Sequence, residues 1–194
     1  KNIEVSQGIK VNVEQADVKS ISVETDDNLQ EHIITKIENG VLIIKADKSY
    51  NSATPIVNVK MPIINGLSSS SGSEINSFKT LISNNIKAEA SSGSRINITV
   101  EADAITLETS SGSNIEASGK ALKLETSSSS GSSIDAQKLM ANEVIAQTTS
   151  GSSASVYPIL KLDAKASSGS SIGYHKVPKT LSKEETSGGS VRED

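Results

Sequence analysis

The stretch Ser91-Ser92-Gly93-Ser94-Arg95-Ile96-Asn97-Ile98-Thr99-Val100-Glu101-Ala102-Asp103-Ala104-Ile105-Thr106-Leu107-Glu108-Thr109-Ser110-Ser111-Gly112-Ser113 decides the fold. It begins and ends on a Ser-Ser-Gly-Ser tetrad. The tetrad or a close variant returns at Gly72, Gly93, Gly112, Gly131, Gly151, Gly169 and Gly188, at intervals of 21, 19, 19, 20, 18 and 19 residues. A near-constant spacing of this size marks a solenoid, in which each repeat is one coil stacked on the last. Within the stretch, Ile96, Ile98, Val100 and Ala102 share one parity; Ile105, Leu107 and Thr109 share the other. Period two means strand, with side chains of one parity facing one side. The parity change near Asp103-Ala104 requires a bend and the Ser-Gly-Ser stretch a second, so each coil has at least two short strands.

Outward from this stretch the residues fall into columns. Three positions after the glycine stand Ile75, Ile96, Ile115, Ile134 and Ile172, with Ala154 and Val191 as variants. Seven before it stand Ile86, Ile105, Leu124, Val144 and Leu162. These two columns are the expected core ladder, each buried member contributing about 1.5–3 kcal/mol. Three before the glycine the residues are small: Ala90, Thr109, Ser128, Thr148 and Ala166. An interior narrowing toward a tight corner needs that order. Glycine suits a corner that requires positive φ. The flanking serines are expected to bond to turn backbone or to the serine one coil away.

The two ends differ from the middle. Residues 1–66 lack the tetrad and are expected to form an N-terminal β section or cap. Ile9, Val11 and Val13 alternate there, and Asn39-Gly40 before Val41-Leu42-Ile43-Ile44 is a type I′ hairpin signal. Residues 67–194 form the expected solenoid. In its last coil Lys183 and Glu185 replace small inward residues, and the tetrad decays to Thr186-Ser187-Gly188-Gly189. That pattern suits a weaker coil that blunts the open edge.

Composition excludes several functions. The 194 residues carry a formal net charge of -4, no cysteine and 2% aromatics. Disulfides and thiol chemistry are therefore absent, and no basic footprint for nucleic acid exists. No apolar run is long enough for a transmembrane helix. The start at Lys1 reads as a mature fragment of an exported protein, with a signal or lipid anchor upstream. His32 and His175 lack metal-ligand spacing, and Asp26-Asp27 fits no calcium loop, so neither metal nor cofactor is expected. Serine recurs in every coil without a histidine, as a structural corner does and a nucleophile does not. Asp103, Asp135 and Asp163 occupy different columns, unlike the clustered acids of a polysaccharide lyase.

The repeated Ser-Gly-Ser-x-Ile, following a β-region that closes on Val59-Lys60-Met61-Pro62, resembles the auto-transporter adhesin head GIN domain family. The resemblance runs from about Ile9 to Val191, with Ala154 as a departure in the isoleucine column. It implies an all-β, right-handed parallel β-helix related in shape to pectin lyases. It also implies export to the cell envelope or surface and an adhesive role, and it offers no catalytic residues to carry over. The expectation is a non-enzymatic envelope protein that presents a β-helix face to a glycan, an envelope protein or another copy of itself. The alternative is a carbohydrate-active enzyme, lyase-like or hydrolase-like. A hydroxyl-ladder protein of the ice-binding sort is less favoured, because the serine columns lie at a corner.

Overall fold

The computed structural model describes residues 1–50 and 54–194. In chain order the elements begin with β1 (Asn2–Val5), β2 (Lys10–Gln15), β3 (Ser20–Glu24), the short helix α1 (Asp27–Gln30), β4 (Ile33–Glu38), β5 (Val41–Ala46) and β6 (Ile56–Met61). Next come β7 (Gly66–Ser69), β8 (Glu74–Ser77), β9 (Leu81–Ala90), β10 (Arg95–Thr109), β11 (Asn114–Ser128), β12 (Ser133–Thr148) and β13 (Ser153–Ser167). The last are β14 (Ser171–Tyr174), β15 (Thr180–Thr186) and β16 (Ser190–Glu193). Among the described residues these strands form one 16-stranded sheet wound into a parallel β-helix.

One face stacks β5, β1, β7, β9, β10, β11, β12, β13 and β15. The other stacks β6, β2, β8, β10, β11, β12, β13, β14 and β16. The long strands β10 to β13 bend midway and so serve both faces. Register places Ile75, Ile96, Ile115, Ile134, Ala154, Ile172 and Val191 each opposite the next. Ile86, Ile105, Leu124, Val144 and Leu162 do the same on the other face. All of these side chains are buried in one continuous core. The alternation of the sequence thus becomes an aliphatic ladder, whose burial drives the stacking.

Stack order differs from chain order at the N-terminal end. Strands β1 and β2 make the second coil, and β5 and β6 lie outside it. Ile3 sits between Leu42 and Leu67, and Val11 between Val57 and Ile75. Two antiparallel strands then close the end, β4 on β5 and β3 on β6. The β4–β5 turn is Asn39-Gly40, with φ of 49° and 80°. Leu29 of α1 is buried. Reversing direction ends the parallel stack and protects its edge.

The C-terminal end uses charge. Lys183 donates to the Val191 carbonyl at 3.0 Å and lies 4.9 Å from the centroid of the Tyr174 ring. The Val191 N–H donates to the Glu185 carboxylate. Inward charges that satisfy the last coil's own backbone disfavour addition of another strand.

Candidate functional site

The glycine corner is a turn repeated in three dimensions. In the coil of Gly93 the Ser94 N–H donates to the Ser91 carbonyl at 3.2 Å, and Ser92 and Gly93 have φ of 53° and 70°. Two left-handed residues closed by that bond match a type I′ turn. The glycine N–H then donates across coils to the carbonyl of the next left-handed serine: Gly93 to Ser111 at 3.0 Å, Gly112 to Ser130 at 3.1 Å, Gly131 to Ser150 at 3.0 Å and Gly151 to Ser168 at 3.0 Å. Gly72 and Gly169 bond likewise to Ser92 and Ser187. Gly188 closes the row with φ of 79°. A further corner precedes these, where Gln7 and Gly8 have φ of 65° and 73° and Gly8 donates to Ser71 at 3.0 Å. Sequence reasoning missed it because Ser-Gln-Gly-Ile hides the tetrad. The available signal was Val11, which stands three positions after Gly8, in the isoleucine column.

The structure divides the serines into two populations. Those just after the glycine, Ser73, Ser94, Ser113, Ser132, Ser152 and Ser170, are buried. Ser113 donates to the Ala90 carbonyl one coil away at 2.6 Å and accepts from the Ser110 N–H at 3.1 Å. Ser94 and Ser152 reach the carbonyls of Ser69 and Ser128 at 2.7 Å each. These hydroxyls staple each corner to its neighbour. Behind them Thr109 donates to Ser128 at 2.8 Å, and Thr148 bonds to Ser170 at 2.9 Å.

The serines just before the glycine face water. Ser71, Ser92, Ser111, Ser130, Ser150, Ser168 and Ser187 are exposed, with φ between 48° and 56°. A left-handed conformation costs an ordinary L-residue about 1–2 kcal/mol, and Asn tolerates it better. The same chain uses Asn39 in the equivalent position of its hairpin. Among the described residues these seven hydroxyls make one side-chain bond, Ser150 with Thr149 at 3.4 Å. Turn geometry therefore does not explain why they are serine. Together with the bare glycines they form a ridge of hydroxyls and exposed backbone, repeating about every 4.8 Å.

The adjoining faces carry ion pairs. Lys87 lies 2.6 Å from Glu89 and 3.1 Å from Glu108. Lys123 pairs with Glu125 at 2.6 Å and Lys165 with Glu184 at 3.0 Å. Hydrogen bonding to Lys87 holds the Glu89 carboxyl below the usual range, and bonding to Glu89 raises Lys87. A carboxylic acid that donates a proton at neutral pH needs the opposite shift. Asp103 lies at the bend, Asp135 on one face and Asp163 on the other, so the fold does not bring them together. His32 bonds to Asp47 at 2.8 Å near the N-terminal end, and His175 lies near Asp194 at the other. Among the described residues no three His, Cys, Asp or Glu side chains gather closely enough to hold a metal ion. No helix there is long and apolar enough to cross a membrane.

The family model described as "Putative auto-transporter adhesin, head GIN domain" matches residues 1–178. The chain belongs to this family. The head GIN chain is similar in structure to a protein of Bacteroides fragilis described as a putative adhesin, with TM-score 0.93 at 18% identity, covering 100% of this chain and 91% of that one. It is similar to another so described from Parabacteroides merdae, with TM-score 0.83 at 20% identity and coverage of 100% and 91%. A protein of Parabacteroides distasonis described as a putative lipid binding protein gives TM-score 0.75 at 18% identity, covering 99% and 91%. At these identities the likeness is one of fold. No curated protein matches this head GIN chain.

Proposed function

We propose that this chain is a non-enzymatic binding module, exported to the cell envelope or surface, that holds a partner along its serine-glycine ridge. Membership of an adhesin family supports surface attachment. One observation carries the rest: exposed left-handed serines recur at seven corners, where asparagine would satisfy the turn at lower cost. A ridge of evenly spaced hydroxyls and open backbone suits a partner with periodic hydrogen-bonding groups, such as a glycan chain or the surface of an envelope protein. Each contact is weak alone, and repetition along the rod supplies avidity. The test is capture on a glycan array and on isolated envelope proteins, comparing the native chain with Ser92→Asn/Ser111→Asn/Ser130→Asn. Capture by the native chain and its loss in the variant are expected. Equal capture by both would remove the ridge from the function, and no capture by either would remove both partner classes.

A further inference from the structure

The row of corners has an end. Between β1 and β2 the chain turns through Ser6-Gln7-Gly8-Ile9, with Gln7 and Gly8 left-handed. The next coil outward runs from β5 to β6, and the described residues between Ala46 and Ile56 contain no left-handed pair. Asp47, Lys48 and Tyr50 stand there instead. With Gln7, Gly8 and Ser71 they line a hollow of about 580 Å³, a size within the range of small-molecule sites. Tyr50 is the aromatic residue that adjoins the ridge. Phe78, Tyr157 and Tyr174 each stand five or six positions after a corner glycine, away from the turn.

Local bonding fixes these groups and leaves binding atoms open. The Tyr50 hydroxyl donates to the Gln7 carbonyl at 2.5 Å. A Cβ on Gly8 would lie 2.9 Å from that hydroxyl, so the bare glycine admits the phenol as well as the turn. The Gln7 side-chain carbonyl accepts the Ala46 N–H at 2.9 Å, which leaves the amide hydrogens on Nε2 to donate. His32 holds one Asp47 oxygen at 2.8 Å, and the Asp47 N–H donates to the His32 carbonyl at 3.0 Å. The second carboxylate oxygen is left as an acceptor. Lys48 makes no ion pair among the described residues. Ser71 gives its carbonyl to the Gly8 N–H and keeps its hydroxyl.

A half-buried ring, a carboxylate oxygen, amide hydrogens and an ammonium around one hollow match the chemistry of a sugar unit. Its C–H bonds suit the ring, and its hydroxyls both donate and accept at the rim. The two charged groups of the lining, Asp47 and Lys48, have opposite signs, which favours an uncharged ligand. We propose that this hollow binds the terminal unit of a neutral glycan whose following units lie along the ridge. The inference rests on the ridge as the binding surface and gives that surface a direction. The corners stop at Gly8, and Tyr50 with its neighbours stands where the next corner would be. The ridge offers many weak, equivalent contacts that leave a chain free to slide. One distinct contact at its end fixes where along the rod the glycan starts.

An array of neutral oligosaccharides built from glucose, galactose, mannose or N-acetylglucosamine tests it, each tethered by one end or by the other, with the free end native or methylated. The native chain should capture a sugar whose recognised end is free and lose it when that end is tethered or methylated. Tyr50→Leu should weaken this capture by about tenfold or more, and Asp47→Asn should weaken it too. Ser92→Asn/Ser111→Asn/Ser130→Asn should instead abolish the gain from a longer chain. The chain has no tryptophan, so tyrosine emission should change as the captured oligosaccharide is titrated into the native chain and stay constant in Tyr50→Leu. Unchanged circular dichroism shows that each variant keeps the fold. Capture indifferent to a blocked end, or undiminished in Tyr50→Leu, overturns the inference and leaves the ridge reading standing. Failure to capture any neutral oligosaccharide overturns it as well. Capture lost in Tyr50→Leu but kept by the ridge variant upholds the hollow and removes the ridge.

Discussion

The glycine corner and the bend opposite it perform the same task, reversing the chain once per coil, by different means. At the corner two left-handed residues close one backbone bond, and the glycine N–H reaches the next coil, so every turn copies the last. At the bend the register slips, between Glu116 and Ser118 in β11 and between Ala136 and Met140 in β12. The repeat length varies by a few residues, and the bend absorbs those differences. A corner fixed by backbone bonding demands a recurring sequence, whereas a bend settled by local packing tolerates many.

The largest expected contrast lies beneath these two regions. Ile115→Ala, in the buried ladder near the corner, should cost about 2–5 kcal/mol in urea unfolding. Leu122→Ala at the exposed bend should stay within about 0.5 kcal/mol. A second contrast separates two glycines. Gly119 has φ of 125°, and a Cβ there would collide with the Val100 carbonyl, so Gly119→Ala should cost about 2–5 kcal/mol from conformation and overpacking together. Gly112 has φ of 69° with nothing within 4 Å of an added Cβ, so Gly112→Ala should cost only the conformational part, about 1–2 kcal/mol. Equal costs would show that space plays no part.

Smaller effects sharpen the corner itself. Ser113→Ala removes a buried staple and should cost about 1–3 kcal/mol, while Ser111→Ala on the ridge should be nearly neutral. Thr126 buries its hydroxyl in the ladder with no hydrogen-bond partner among the described residues, so Thr126→Val should raise stability by about 1 kcal/mol. The Lys87–Glu89 pair gives the smallest effect. The carboxyl is lowered on folding, so its contribution is present above the ordinary carboxylate range and fades as pH falls through the depressed value. Lys87→Met should therefore lower stability only slightly at neutral pH, because the pair is well exposed, and the deficit should vanish as pH falls below the depressed value.

The coil fold was legible because burial and hydrogen bonding repeat with the sequence. Ile96, Ile115 and Ile134 fall over one another when the spacing is constant, and alternation alone assigns the strands. Stack order at the N-terminal end was not legible. Val11 and Val57 carry the same alternating signal, and nothing local states that the later strand lies outside the earlier one. The ridge was half legible. Glycine announces positive φ, but the serine before it and the serine after it look alike in sequence. Only the fold turns one into a buried staple and the other into an exposed left-handed residue.

The most direct measurement combines urea unfolding with capture for Ser92→Asn/Ser111→Asn/Ser130→Asn. If the corner is closed by backbone and buried hydroxyls while the exposed serines serve a partner, the unfolding midpoint should stay level or rise as capture falls. A lowered midpoint, or undiminished capture at an unchanged midpoint, would contradict that division of labour.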